Sequence, residues 1–375
     1  MKNEMNAIGL MSGTSADGLG AAYCSVNFEK RKVKQLAFRN YPYGKALREK
    51  IMRARSLSVE RLSLLNYELG RLWATLLLDF VKKSGIKPGE IDVIGSHGQT
   101  VYHNSRLKNT FQIGEASFLS EILKRPVVCD FRHQDLAAGG EGAPLVPYFD
   151  EFIFGDSAPA ALQNVGGVGN VSIVGEGVKT GGFDTGPGNS LMDWAVHLLT
   201  GGRASYDRDG NWASRGKIDF KKAGKFLKAP FFSRKPPKSL DREEFGESFL
   251  LKNFDLKKES RFDVLATLNY FTALSIARSL EKHVKERPER LIVSGGGALN
   301  KTLLANLTAL LPGLKVESIA AYGYDPLAKE AMAFALLAAA SLSGLPNNCP
   351  GVTGASGFRV MGKIISPFPE RTLGA

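Results

Sequence analysis

The chain has 375 residues, 43% of them hydrophobic and 23% charged, with 49 Lys and Arg against 37 Asp and Glu for a net charge of +12. This is an ordinary soluble globular composition, too long for one compact core, and it predicts two domains or lobes. The longest apolar run, 331–342, is too short to span a bilayer, Met1-Lys2-Asn3-Glu4 leads into a strand pattern without a secretory apolar region, and the three scattered cysteines Cys24, Cys129 and Cys349 fit reduced thiols rather than a disulfide frame. A cytoplasmic protein with no membrane partner is expected.

Residues 8–10 and 21–28 read as strands joined by Ser12-Gly13-Thr14-Ser15-Ala16-Asp17-Gly18-Leu19-Gly20. Strand, Gly/Ser/Thr/Asp turn, strand is a β-hairpin, and a tip of small, hydroxylated residues can aim backbone N–H groups at a phosphate. Gly13 and Gly18 have P-loop spacing. Leu19-Gly20 replaces the Lys-Ser/Thr pair, however, and a strand follows instead of a helix, so a P-loop is excluded. Residues 33–40 look like another strand. Residues 44–84 are helical in pattern, with Leu62, Leu65, Leu69, Leu72 and Leu76 on one core-facing stripe. Residues 91–96 form a short buried-type strand that runs into His97-Gly98-Gln99-Thr100. Open α/β sheets place ligands beyond the C-terminal ends of their strands, although a histidine satisfied within its own turn reads equally well. Residues 115–123 are helical and 127–129 a strand, followed by Asp130-Phe131-Arg132-His133-Gln134-Asp135, in which Arg132 is a candidate anion or hydroxyl clamp. The break at Ala138-Gly139-Gly140-Glu141-Gly142-Ala143-Pro144 sets the expected domain boundary.

The second half opens with an echo of the first. Residues 160–165, Gly166-Gly167-Val168-Gly169 and residues 170–174 again read as strand, glycine turn, strand. Two such hairpins, one per half, predict two related lobes facing each other. Near the chain's midpoint, Gly181-Gly182-Phe183-Asp184-Thr185-Gly186-Pro187-Gly188-Asn189 holds one carboxylate, Asp184. A helix pattern over 190–199 follows, with Asn189 a suitable N-cap and Gly201 a suitable stop. Asp184 is therefore expected on tightly turning backbone just ahead of a helix N-terminus, a place that attracts anions. An Asp that only hydrogen-bonds its own turn is the alternative. Much of the positive charge lies between Lys217 and Lys238. It reads as a solvated helix face followed by a Pro-rich loop over 230–237, and no nucleic-acid motif accompanies it, so no nucleic-acid partner is expected. Residues 261–286 are a long amphipathic helix. The strand at 290–294 ends in Gly295-Gly296-Gly297-Ala298-Leu299-Asn300 before a helix at 301–311. This is a nucleotide-type turn but not a dinucleotide fingerprint, because Asn300 takes the third glycine's place. Glu330 starts the Ala-rich helix 331–342, where it could serve only as a first-turn dipole partner.

The three glycine turns, in order and spread over two halves, resemble the ATPase fold shared by sugar kinases, actin and heat-shock chaperones. The local wording narrows this. Ser12-Gly13-Thr14-Ser15-Ala16-Asp17-Gly18, Ser96-His97-Gly98-Gln99-Thr100, Asp130-Phe131-Arg132, Gly142-Ala143-Pro144-Leu145-Val146-Pro147, Asn164-Val165-Gly166-Gly167, the Asp184 stretch, Gly295-Gly296-Gly297, Glu330-Ala331-Met332-Ala333-Phe334-Ala335 and Val352-Thr353-Gly354-Ala355 all resemble the anhydro-N-acetylmuramic acid kinase family, over essentially the whole chain. There are departures. Gly20 stands where the family usually has Asp, Glu141 where Gln is expected, and Leu240-Asp241, before Arg242, in place of a small Thr-Gly pair.

The resemblance implies an α/β, two-lobed actin-like ATPase (sugar kinase) fold with a central interlobe cleft. The first lobe is expected at 1–137 and the second at 138–375, with the tail 356–375 returning to the first. The implied reaction is ATP-dependent opening of an anhydro amino sugar coupled to its phosphorylation, with Asp184 as the general base that takes a proton from water. The implied ATP site comprises Gly13, Thr14, Ser15, Ala16, Asp17, Gly18, Leu19 and Gly20 from the first hairpin and Gly166, Gly167, Gly169 and Asn170 from the second. Gly186 belongs to it too, and Gly295, Gly296 and Gly297 border the adenosine. Mg2+ is implied as cofactor, held through water and phosphates rather than by protein ligands. Arg132, His97, Gln99, Thr100 and Glu330 are the implied sugar residues, and a homodimer is expected. The rival activities are a levoglucosan-type anhydrosugar kinase and a chaperone-like or actin-like ATPase with no sugar substrate.

Overall fold

The computed structural model describes residues 3–236, 238–240 and 244–367. They fall into two compact units, one drawn from Met1–Ile153 and Ala328–Ala375, the other from Phe154–Leu327. The chain opens with β1 (Glu4–Ser12), β2 (Gly18–Asn27) and β3 (Lys32–Pro42), an antiparallel meander. The helical pattern expected over 44–84 is split into α1 (Lys45–Met52) and α2 (Val59–Lys83), because Ser58 starts a new helix by accepting the Arg61 N–H on its hydroxyl. Leu65 and Leu69 of the predicted stripe are buried in the core with Trp73, Leu77 and Phe80, while Leu62, Leu72 and Leu76 pack at its margin.

Next come β4 (Val93–Asn104), β5 (Asn109–Ile113), α3 (Ser117–Leu123), β6 (Val127–Cys129), α4 (His133–Ala137) and α5 (Pro147–Phe154). β4 is longer than the expected 91–96. It pairs in parallel with β1 as far as Gln99 and then antiparallel with β5, which takes over its ladder, so His97, Gln99 and Thr100 lie within a strand instead of beyond its end.

The second unit contains β7 (Ala160–Val165), β8 (Val168–Val174), β9 (Gly181–Pro187), α6 (Ser190–Leu199), α7 (Phe220–Phe226), α8 (Glu247–Asn253), α9 (Arg261–His283), β10 (Arg290–Ser294), α10 (Lys301–Leu310) and β11 (Lys315–Ser318). The Asp184 stretch is thus the edge strand β9, paired antiparallel to β8 with Asp184 opposite Asn170, and not a tight turn. Asn189 does not cap α6 with its side chain; its amide donates to the Val165 carbonyl at 3.1 Å. The helix α9 joins two cores. Its Val264, Leu265, Leu268 and Phe271 meet a cluster that includes Phe226, Phe231, Phe232 and Phe245, while Ala273, Ile276 and Leu280 pack under the sheet.

The chain then re-enters the first unit through α11 (Lys329–Leu342), α12 (Pro350–Thr353) and β12 (Lys363–Ile365). The small side chains of α11 let its backbone rest directly on the sheet. A Cβ at Gly9 of β1 would lie 1.8 Å from the Ala331 carbonyl oxygen, and one at Gly95 of β4 would lie 2.1 Å from that of Phe334. The glycine-rich stretch at 138–144, expected to be a boundary, is tied into this unit. The buried Asp135 carboxylate accepts from Gly142 N–H at 2.8 Å, Asn348 Nδ2 at 3.1 Å and Thr353 Oγ1 at 2.7 Å. The compact units therefore divide after residue 153 instead of 137, with the return at Ala328.

The two sheets share one topology among the described residues. The order β3-β2-β1-β4-β6 in the first corresponds to β9-β8-β7-β10-β11 in the second, with an antiparallel meander followed by parallel strands in both. β5 and β12 extend the first sheet at β4 and β6. No helix among the described residues is long and apolar enough to cross a membrane.

Candidate active site

In the first unit, the β1–β2 hairpin closes its tip with an Ala16 N–H to Gly13 carbonyl bond of 3.0 Å. Thr14 and Asp17 are exposed there, and Ser15 Oγ donates to Asp17 Oδ1 at 2.9 Å. Ala16 and Leu19, by contrast, are buried in the core, and the Ala16 N–H is spent on that turn bond. A polar chain fixes the tip from beneath. Trp73 Nε1 donates to Tyr43 Oη, Tyr43 Oη to Ser12 Oγ, and Ser12 Oγ to Gln99 Oε1 at 2.6 Å, while Gln99 Nε2 donates to the Gly13 carbonyl at 3.2 Å. Both ends of the buried Gln99 amide are therefore engaged with the hairpin.

A second cluster sits on the same sheet. His97 and Arg132 meet at 2.8 Å, and since a guanidinium only donates, His97 Nε2 accepts from Arg132 Nη2, leaving Nδ1 to donate to the Gly98 carbonyl at 2.8 Å. Burial, with the Arg132 charge, holds the imidazole neutral at a pKa of about 3. Arg132 Nη1 donates to the Gly142 carbonyl at 2.7 Å, while its Nε is buried without a hydrogen-bond partner. Burial lowers the guanidinium to about 10, and the charge of Glu330 on α11 opposes that fall. One turn along α11, Phe334 packs its ring 4.7 Å from that of His97. Thr100 stands apart from this group, its hydroxyl accepting from Gln112 Nε2 at 3.2 Å.

In the second unit the two glycine turns come together. The carbonyls of Gly166 and Gly167, in the β7–β8 turn, accept from the N–H groups of Asn189 and Ser190 at 2.7 and 3.3 Å, which locks the turn to the start of α6. Gly297 lies against this hairpin, where a Cβ would be 2.4 Å from that of Val165. Gly169 and Asn170 continue β8, and Gly186 on β9 lies under α9 with no room for a side chain beside Ser275. Two of the predicted phosphate glycines differ from these. A Cβ on Gly13 would meet nothing nearer than Ser15 Oγ at 3.7 Å, and one on Gly166 nothing nearer than the Val168 carbonyl at 3.8 Å. Packing within the protein does not require glycine at either place.

Asp184 is held by the loop at 238–240. Its N–H donates to the Lys238 carbonyl at 3.0 Å, and its Oδ2 accepts the Leu240 N–H at 2.8 Å. Burial lifts its carboxyl from 3.8 to about 6, against the lowering influence of that N–H and of the Lys238 charge. The carboxylate is thus ionised at neutral pH yet poised to take a proton, as a general base requires. Among the described residues no three His, Cys, Asp or Glu side chains are grouped so that they could hold a metal ion.

A family model described as anhydro-N-acetylmuramic acid kinase matches residues 5–367. The chain belongs to the anhydro-N-acetylmuramic acid kinase family. Curated relatives of that description include one from Caldanaerobacter subterraneus subsp. tengcongensis, 40% identical with 97% of each chain covered. Another, from Pseudomonas paraeruginosa, is 39% identical over 95% of this chain and 98% of its own. A solved structure, component A of the Acidaminococcus fermentans (R)-2-hydroxyglutaryl-CoA dehydratase, has a TM-score of 0.46 and 11% identity over 89% of this chain and 97% of that one; at that distance it adds nothing to the assignment.

Within this member of the family, the departures from the usual motifs have definite surroundings. Gly20 lies on β2 opposite Met11, and a Cβ there would contact Ala331, next to Glu330, at 3.8 Å. Glu141 uses its N–H on the Thr353 carbonyl at 2.8 Å. Leu240 gives Asp184 a main-chain donor, while Asp241 and Arg242 lie outside the described residues. The residues that sequence reasoning missed are the Ser12–Tyr43–Trp73 chain and Lys238, which is buried at 7% exposure and not part of a solvated face. The Phe231-Phe232 pair just ahead of the basic loop was the available signal, since aromatic neighbours give a lysine stem an apolar seat.

Proposed function

We infer that this protein is an ATP-dependent kinase of 1,6-anhydro-N-acetylmuramic acid, forming N-acetylmuramic acid 6-phosphate and ADP. Membership of the family over residues 5–367 carries the reading. In the proposed step, water adds to the anomeric carbon as the bond from that carbon to the six-position oxygen breaks. That oxygen takes the γ-phosphoryl group as its bond to the β-phosphate oxygen breaks, and the proton of the water passes to Asp184. The raised carboxyl of Asp184 and its fixed orientation on the Leu240 N–H support its role as base. The open positions at Gly13 and Gly166 support the two hairpin turns as phosphate cradles. The unpartnered Nε of Arg132 supports that residue as the clamp for the lactyl carboxylate of the sugar. Magnesium would offset phosphate charge there, with phosphates and water as its ligands.

The test is product analysis in 18O-labelled water. We expect one ADP per sugar phosphate, with the label on the anomeric oxygen and none in the phosphate. ATP hydrolysis at the same rate without the sugar, or better turnover of levoglucosan, would overturn the reading. Asp184→Asn should lower kcat by roughly 10²–10⁴-fold, the usual contribution of a general base, with ATP affinity retained. Turnover at the wild-type rate in that variant would remove Asp184 from the mechanism.

A further inference from the structure

Resting on the kinase reading, we propose that Lys238 is a positioning residue for the general base, holding Asp184 as an oriented, ionised carboxylate. Two observations carry this. The edge strand β9 is met at Asp184 by the 238–240 loop, which accepts the Asp184 N–H on the Lys238 carbonyl and returns the Leu240 N–H to Oδ2. The same loop carries a lysine that is 7% exposed, its ammonium 4.4 Å from the centre of the Phe231 ring and 5.8 Å from that of Phe183, the residue before Asp184. A lysine ammonium is strongly hydrated and is seldom fully buried without a partner.

The company of Lys238 makes its burial harder still. Lys282 and Arg234 both act against its charge, and Asp184 is the group among the described residues that favours it. His283, whose ring lies 5.6 Å from that of Phe183, is itself held neutral by burial and by the charges of Lys238 and Lys282. The favourable influence is mutual, since the ammonium also lowers the carboxyl of Asp184. Two aromatic faces stabilise the cation by cation–π attraction and keep water from screening it. Asp184 is thus gripped through the backbone of the loop that Lys238 anchors, and the ammonium adds a favourable charge. Lys238 need not touch the sugar or the water to matter: by seating its stem against Phe231 and Phe183 it holds the loop whose Leu240 N–H directs the carboxylate, and its charge favours the ionised form.

The experiment is the pH profile of kcat/KM. In the wild type the acidic limb should fall near the Asp184 value of about 6. A nearby opposite charge commonly lowers a carboxyl by 1–3 pH units, so Lys238→Met should move that limb upward by about one unit, a roughly tenfold loss on its acid side, with ATP affinity unchanged. Lys238→Arg should restore the limb. A folded Lys238→Met protein with an unmoved limb overturns the proposal. Because coupling is reciprocal, a second measurement needs no change at Lys238. With lysines 13C-dimethylated, Asp184→Asn should lower the pKa of Lys238 read by NMR, and an unchanged Lys238 titration would also overturn the proposal. A wild type that never turns over the sugar counts against the kinase reading, and the NMR titration still decides the pairing.

Discussion

Asp184→Asn should stabilise the fold at alkaline pH while it stops turnover. The carboxyl rises from 3.8 to about 6 on folding, because burial outweighs the help of the Leu240 N–H and the Lys238 charge. A group whose folded pKa is raised adds stability below its unfolded pKa, and that stability is lost as pH climbs through the folded value. At pH 8 the ionised side chain therefore opposes folding. At about 1.4 kcal/mol per pH unit the opposition is roughly 3 kcal/mol as a ceiling, and about 1–2 after local relaxation. Asparagine is neutral at every pH and keeps an oxygen for the Leu240 N–H. Urea unfolding at pH 4 and pH 8 is the assay. The midpoint of the variant should exceed the wild type's clearly at pH 8 and only slightly at pH 4, which lies at the foot of the range from 3.8 to about 6 over which the wild-type group titrates. A variant less stable than wild type at pH 8, or a gain of equal size at both pH values, would refute the electrostatic reasoning.

Two further outcomes separate packing from binding. Gly297→Ala forces a Cβ to 2.4 Å from that of Val165 and should cost about 1–3 kcal/mol of stability, whereas Gly166→Ala, with nothing within 3.7 Å, should leave stability within roughly 0.5 kcal/mol yet weaken ATP binding. Calorimetric titration with ATP checks this, and wild-type affinity in Gly166→Ala would rule out that turn as a phosphate cradle. Gln99→Leu strips the Ser12 hydroxyl and the Gly13 carbonyl of buried partners and should lower stability by about 1–3 kcal/mol. It should also raise the KM for ATP about tenfold through a loosened hairpin tip, equivalent to about 1.4 kcal/mol. An unaltered KM would show that the tip needs no support from β4.

Both hairpins were legible because strand, glycine turn, strand is a local pattern that needs no partner to be recognised. The stretch around Asp184 was found but misassigned as a turn. Its glycines and proline read as punctuation, whereas several of them answer to contacts far along the chain. Gly186 makes room for Ser275 of α9, and a Cβ on Gly188 would sit 2.3 Å from the Gly166 carbonyl oxygen. Likewise β4 runs on through His97 because β5 arrives to pair with it, which residues 91–100 alone do not reveal. Lys238 was hidden for a different reason. A loop has no periodicity, so the burial of one of its side chains is set by tertiary partners such as Phe231 and Phe183. The return of α11 to the first sheet was equally non-local, although its run of alanines beside Gly9 and Gly95 is the chemistry that such close contact demands.

That return has a consequence for synthesis. Residues 3–153 leave the ribosome with one face of their sheet bare, since Gly9 and Gly95 have nothing to rest against until Ala331 and Phe334 have been made. The 154–327 unit, uninterrupted in sequence, has all of its own strands in hand earlier. The nascent chain would therefore complete its middle before its beginning. A premature stop shortly before residue 328 would release a product whose later-made unit is whole and whose first-made sheet is a sticky, half-covered surface, the kind of species that chaperones hold and proteases clear.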